Sequence, residues 1–328
     1  MTENRLPHVL VSSVIRTATV GESHGGLYVV DLEASRSERV IDWDDTSISF
    51  RDRGAERGLR GLAFRDELTY VTTFDKIVVY DRDFRQVDEF TNAYLADCHE
   101  TWIDGPSLHV TSTGYDSILT FDLDAGRFVQ GVCLRNDLDR LAKKALWKLF
   151  GMKRPSGVKL TRFDPNATNG PRADDVIHLN SVFVDDGVMY ASSYRAAAFF
   201  ALRDGGAEAV SPLPDQTHNA QLFRDGVLFA NTGNDEVLYC SLDGVLRRRF
   251  PAVTIPRDEM RYADLPDETA RPGFVRGLTT FADEFLIFGV SPATIVVYHI
   301  DSGEMVKTVN LSKDVRNAVH GLEIYPYS

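Results

Sequence analysis

HNAQLFRDGVLFANTGNDEVLYCSLDG, residues 218–244, decides the fold. The stretch opens on a polar residue, His218, and runs through a first apolar segment to a tight turn at Asp225-Gly226. A second apolar segment leads to a Thr232-Gly233-Asn234-Asp235 turn, and EVLYCS (236–241) forms a third. Short runs rich in Val, Leu, Phe and Tyr between Gly, Asp and Asn turns are the pattern of consecutive antiparallel strands. LRRRF (246–250) adds a fourth strand and completes the unit.

Working outward, the unit recurs. HLNSVF (178–183), VMYASS (188–193), AAFFAL (197–202) and EAVSP (208–212) form a copy that starts 40 residues earlier. RGLAF (60–64) and HETWI (99–103) open two more copies, 39 residues apart, and RGLTTF (276–281) opens another. Four strands per repeat of about 40 residues is the period of propeller blades. The chain starts with three unassigned strands (8–14, 26–32 and 37–43) and finishes with one, HGLEIYP (320–326). Together these make one more blade, whose pairing satisfies both terminal edges. The expectation is an all-β, six-bladed β-propeller with N- and C-terminal strands sharing the closing blade, in one domain over 1–328.

Two insertions, 134–177 and 251–275, break the rhythm. Within the first, Leu138, Leu141, Ala145, Leu146 and Leu149 recur at helical spacing opposite Lys143, Lys144, Lys148 and Lys153. This predicts an inserted basic amphipathic helix near 136–153, followed by a polar loop over 154–177. Such a helix packs over one end of the β structure, or serves as a lid, a partner-binding helix or a membrane-surface helix. The second insertion is polar and carries Pro251, Pro256, Pro266 and Pro272.

Composition narrows the function. Hydrophobic residues make up 43% of the 328, enough for a substantial core rather than a disordered chain. A formal net charge of −12 argues against general nucleic-acid binding, which needs a basic surface. It leaves room for a small anionic substrate held in a local basic pocket. No apolar run approaches the roughly 20 residues that span a bilayer. The first residues, MTENRLPHVLVSSV, lack a basic segment followed by a long apolar one, so a cytoplasmic location is expected. Cys98, Cys133 and Cys240 show no paired spacing and read as reduced thiols.

The phrases DGPSLHVTSTGYDSILTFDLDAG (104–126) and DGVLFANTGNDEVLYCSLDG (225–244) resemble NHL-type and gluconolactonase/strictosidine-synthase-like six-bladed propellers. The resemblance implies a central channel and leaves the activity open, since propellers host many chemistries. The gluconolactonase pattern implies a cation held by Glu, Asn and Asp side chains, for which Asn180 and Asn219 are the matching amides. The histidines that open several units here depart from that pattern.

Aligning the first strand of each unit gives one leading residue per blade: Arg60, His99, His178, His218, Arg276 and His320. First strands line a propeller axis, so these six are expected to converge on one channel. Four imidazoles suit a divalent transition metal, iron, manganese, zinc or copper, with His99, His178, His218 and His320 as ligands. Arg60 and Arg276 suit the orienting of an anion, and Glu100 the role of a general base, with Asp97 and Glu323 as further acceptors. The arrangement of types is similar to that in carotenoid-cleaving oxygenases, which hold iron with four axial histidines. It is similar also to that in arylsulfate sulfotransferases, which use histidine and arginine without a redox metal.

The expected function is thus a metal-centred enzyme with lyase, hydrolase or oxygenase chemistry on a small anion. Metal-free group transfer by His and Arg is the alternative. A non-catalytic scaffold that binds a protein partner is the reading from another class.

Overall fold

A computed structural model describes residues 5–44, 57–135 and 158–327. The helix expected near 136–153 lies outside these described residues. Within them the only helical segments are three short 3₁₀ turns, Thr113–Tyr115, Thr232–Asn234 and Arg257–Glu259. Everything else that is regular is β-strand, arranged in six antiparallel sheets, and the chain is a six-bladed β-propeller.

The first blade pairs Leu62–Arg65, Leu68–Thr72, Lys76–Tyr80 and Gln86–Thr91 in sequence order. The second does the same from Cys98–Asp104 to Arg127–Arg135 and then gains a fifth strand, Lys159–Phe163, on its outer edge. That strand falls where the sequence reads as a polar loop. Its exposed Lys159 and Arg162 carry little apolar signal, and pairing with Arg127–Arg135 supplies the order. The third, fourth and fifth blades begin at Leu179–Asp185, Thr217–Phe223 and Arg276–Phe281. In the closing blade Asn317–Ile324 lies innermost, against His8–Ile15, and Gly26–Asp31 and Arg36–Asp42 complete the sheet.

Burial explains the strand sequences. Gly226–Asn231 is buried at every residue, because an inner-middle strand is covered on both faces by neighbouring blades and so reads as a continuous apolar run. The outermost strands, such as Arg36–Asp42 and Gln86–Thr91, are largely exposed and carry the charges that protect a sheet edge.

The apolar core is divided into six clusters, each joining two adjacent blades. Leu228, Phe250 and Phe288, for example, bind the fourth blade to the fifth, while Leu10, Leu62 and Val71 bind the closing blade to the first. Fully burying a Leu or Phe side chain stabilises by roughly 1.5–3 kcal/mol, so each seam is a strong joint. Around the axis each innermost strand touches that of the next blade, and the last touches the first. Glycines permit the closest approaches. A Cβ on Gly61 would press on Thr101, one on Gly277 on Leu322, and one on Gly321 would overlap the Arg60 carbonyl. No helix of the described residues is long and apolar enough to cross a membrane.

Candidate functional site

Five of the six innermost strands carry a β-bulge near the leading position. Register shifts between Cys98 and Thr101, Leu179 and Ser181, His218 and Ala220, Arg276 and Leu278, and opposite Val11–Ser13 in the closing blade. A bulge places two residues opposite one and re-aims side chains. In this way adjacent residues such as His99 and Glu100 both reach the channel, where a regular strand would turn one away.

The structure brings the sequence-predicted residues together. The His99 ring lies 5.1 Å from His178, 6.3 Å from His218 and 5.2 Å from His320, centroid to centroid. Arg60, His99, His178, Arg276 and His320 line one cavity of about 280 Å³, together with Tyr194, Arg16, Arg195, Arg271 and Phe274. His178 arrives by a different route from the one its alignment implies. By bulge position Leu179 is the counterpart of His218, and His178 stands one residue ahead of its strand, with a left-handed φ of 57°. That conformation, tolerable for His, swings the ring into the channel.

Each imidazole is anchored through one nitrogen. His99 Nδ1 lies 2.8 Å from the Asp97 carbonyl, which only accepts, so Nδ1 carries the proton. His178 Nδ1 donates to the Asp175 carboxylate at 3.0 Å. His218 Nδ1 lies 3.0 Å from the Thr232 hydroxyl, whose own proton goes to the Val275 carbonyl, so His218 is the donor. Thr113 repeats the arrangement under His99, at 2.9 Å, and donates to the Leu179 carbonyl. In His99 and His218, which burial keeps neutral, Nδ1 holds the proton and Nε2 is left without one. Ligand nitrogens of His99, His178 and His218 lie within 4.8 Å of one another.

Arg276 connects the remaining ring. Its Nη1 donates to His320 Nε2 at 2.6 Å and its Nη2 to His218 Nε2 at 3.0 Å. Those bonds need neutral imidazoles, and burial supplies them. His99, His218 and His320 are all held well below the usual histidine range, by burial first, with the nearby guanidiniums adding to the effect. Arg60 donates to Asp97 at 2.8 Å and to the Cys98 carbonyl at 2.5 Å. Burial alone would raise Asp97, but the Arg60 guanidinium, with His99 and His178, overrides it and holds the carboxyl well below its normal value.

A second level lies along the channel from the imidazoles. Glu100 accepts from the Asn219 side chain, two blades away, and Asn219 Oδ1 accepts from Gly277 N at 2.9 Å. Burial pushes Glu100 up to about 8. Burial and the neighbouring Glu100 charge push Glu323 to about 8 as well, with Thr279 donating to it at 3.4 Å. Neither glutamate lines the cavity described above. Asn180 is buried and donates to the Thr217 carbonyl, so it braces two inner strands.

Several site residues are not singled out by the sequence. Thr113 and Thr232 each follow their histidine by 14 positions and open matching Thr-Gly-X-Asp turns, a signal that reads only as turn chemistry until the fold places it under the rings. Asp175, Tyr194, Arg195, Arg271 and Phe274 lie in connecting segments outside the repeated words.

No protein-family model matches the chain, and no curated protein matches it in sequence. Solved structures do match. A structure of the nidogen/laminin complex aligns over 97% of both chains at 11% identity, with a TM-score of 0.56. A protein of unknown function from Bacteroides caccae aligns over 97% of this chain and 98% of its own, at 10% identity and a TM-score of 0.55. A putative 6-phosphogluconolactonase from Bacteroides fragilis covers 99% of this chain and 83% of its own, at 12% identity and a TM-score of 0.50. At such identities the likeness is one of fold, and the chain is similar to these proteins as one β-propeller to another.

Proposed function

We propose that the axial cavity is the active site of an enzyme acting on a small anionic substrate, and that His99 and His178 of its wall, with the buried His218 behind it, hold a divalent transition metal. One observation carries the reading: three imidazoles, each with Nδ1–H tied to a protein acceptor, have ligand nitrogens within 4.8 Å of one another. Metal-binding histidines are characteristically oriented by such outer hydrogen bonds, and imidazole donors suit iron, manganese, zinc or copper. Bound, the metal would supply Lewis acidity toward a substrate oxygen or activate water or dioxygen. The chain's own part is to bind and orient. Arg276 and Arg60 offer guanidinium donors to a carboxylate, phosphate or sulfate at the same wall. Glu100, raised to about 8, is suited to take or give a proton near neutral pH if the substrate reaches the second level.

One observation favours the metal-free alternative. Arg276 already donates to the Nε2 atoms of His218 and His320, so a metal on His218 would have to replace one of those hydrogen bonds. In that reading His99 and His178 act as proton acceptors and Arg276 stabilises charge on a transferred group.

Elemental analysis after dialysis against metal-free buffer separates the two. The expected result is about one transition metal per chain, lost in His178→Ala and held about 10–100-fold more weakly in Asp175→Asn. A protein without metal, whose melting is unchanged by chelator and by added zinc or iron, would leave the metal-free reading in its place.

A further inference from the structure

The cavity wall is unusually rich in one kind of charge. Arg16, Arg60, Arg195, Arg271 and Arg276 all line it, and among the described lining residues the only carboxylate that is not exposed is Asp97. The other two acids, Asp267 and Glu268, are exposed at the rim. This contrasts with the −12 of the whole chain. Gathering like charges in a low-dielectric recess is costly; Asp97, Asp175 and Asp235 offset part of it by pairing with Arg60, Arg195 and Arg271, and an anionic ligand would offset more.

The arginines fall into two sets. Arg60 and Arg276 sit among the imidazoles. Arg16, Arg195 and Arg271 come from three other segments: Arg16 follows the strand His8–Ile15, Arg195 follows Val188–Ser193, and Arg271 belongs to the insertion 251–275. Phe274 joins the two sets. The guanidinium carbons of Arg16, Arg276 and Arg271 lie 4.5, 4.9 and 5.3 Å from its ring centroid. The aromatic ring lets three cations share a small space, each gaining cation–π stabilisation.

The outer set is also held in place. Arg271 is fixed by the Asp235 carboxylate and by the Thr232 carbonyl at 2.6 Å. Arg195 is fixed by Asp175 at 2.8 Å, the same carboxylate that orients His178. Groups ordered beforehand lose little entropy on binding, which is how binding sites gain affinity.

We propose that the cavity takes a short molecule with two anionic groups, one held among the imidazoles by Arg276 and Arg60, the other at the mouth by Arg16, Arg271 and Arg195. A volume of about 280 Å³ suits a compact ligand, such as a small dicarboxylate or a phosphorylated hydroxy acid. This inference rests on the reading of the cavity as an anion site and narrows the substrate class. The reacting end is the inner one, where the histidines lie, and the outer anion supplies binding and position.

Titration calorimetry at fixed ionic strength tests it, with acetate and butyrate against malonate, succinate, glutarate and adipate. One dicarboxylate length is expected to bind at least ~10-fold more tightly than either monocarboxylate. Arg271→Gln is expected to erase that preference while leaving monocarboxylate binding within about twofold, whereas Arg276→Gln weakens both classes. Arg16→Gln serves as the second outer variant should loss of the Asp235 pair unfold the first. Equal binding of mono- and dicarboxylates, both lost in Arg276→Gln, would overturn the two-anion proposal and leave the anion site standing. Absence of binding by every carboxylate, with inorganic phosphate and pyrophosphate also inert, would remove both.

Discussion

At the scale of single residues, two kinds of buried titratable group lie in one channel and are driven to the same neutral state. Burial lowers the histidines and raises the glutamates, so in both cases the uncharged form wins. Glu323 lends itself to a test. Its folded value is about 8 against an ordinary 4.5, so between those limits the folded chain holds a proton that the unfolded chain has released. The resulting stability is fully present below about pH 4.5 and is lost as pH rises through about 8. Glu323→Gln removes the penalty. Thermal melts from pH 5 to 9 should therefore show the variant gaining on the parent as pH rises, by a few degrees at pH 9. A constant offset across that range would exclude a raised carboxyl. Apart from His178, the leading histidines and arginines are legible in the sequence because repetition places them in register. Asp175, Thr232 and Phe274 are not, because each gains its meaning from a contact with another blade or with a distant arginine.

At the scale of the element, the bulge is the feature that sequence does not reveal. Alternation of side chains in a regular strand predicts that His99 and Glu100 face opposite ways. The extra residue in five of the six inner strands removes that constraint and builds a site two levels deep. It also accounts for His178, whose leading position in the sequence is a coincidence of spacing. The strand begins at Leu179, and a left-handed residue compensates for the offset. In three blades the residue after the leading one is glycine, and the nearest atoms belong to the next blade. Gly321→Ala would push a methyl group into the Arg60 carbonyl, and overpacking of this kind costs about 1–3 kcal/mol. The expected result is a lower midpoint of denaturant unfolding with an unchanged slope. The same substitution at Gly105, an exposed turn glycine with a φ of 54°, meets no nearby atom and carries only the backbone strain. A Gly321→Ala protein as stable as the parent would show that the inner strands have room to separate.

At the scale of the whole molecule, the ring is closed by hydrogen bonds between two distant parts of the chain. His8–Ile15 pairs with Asn317–Ile324 along its length, and the Ser12 hydroxyl accepts from Gly321 N and donates to the Arg60 carbonyl of the next blade. The repeat count and the unequal terminal strands make this closure legible in the sequence. The fifth strand of the second blade is not legible, because its stability comes from the sheet it joins. Truncation after residue 311 would remove the innermost strand of the closing blade and expose the edge of His8–Ile15. The expected outcome is loss of cooperative unfolding, and retention of a sharp single transition would mean that five blades close without the sixth. His320 lies on that last strand, so its position also sets an order in time. On the ribosome, Arg60, His99, His178, His218 and Arg276 all emerge before the residue that shares Arg276 with His218. Until residues 317–324 clear the exit tunnel, the nascent chain can hold the parts of the ring without the strand that joins them.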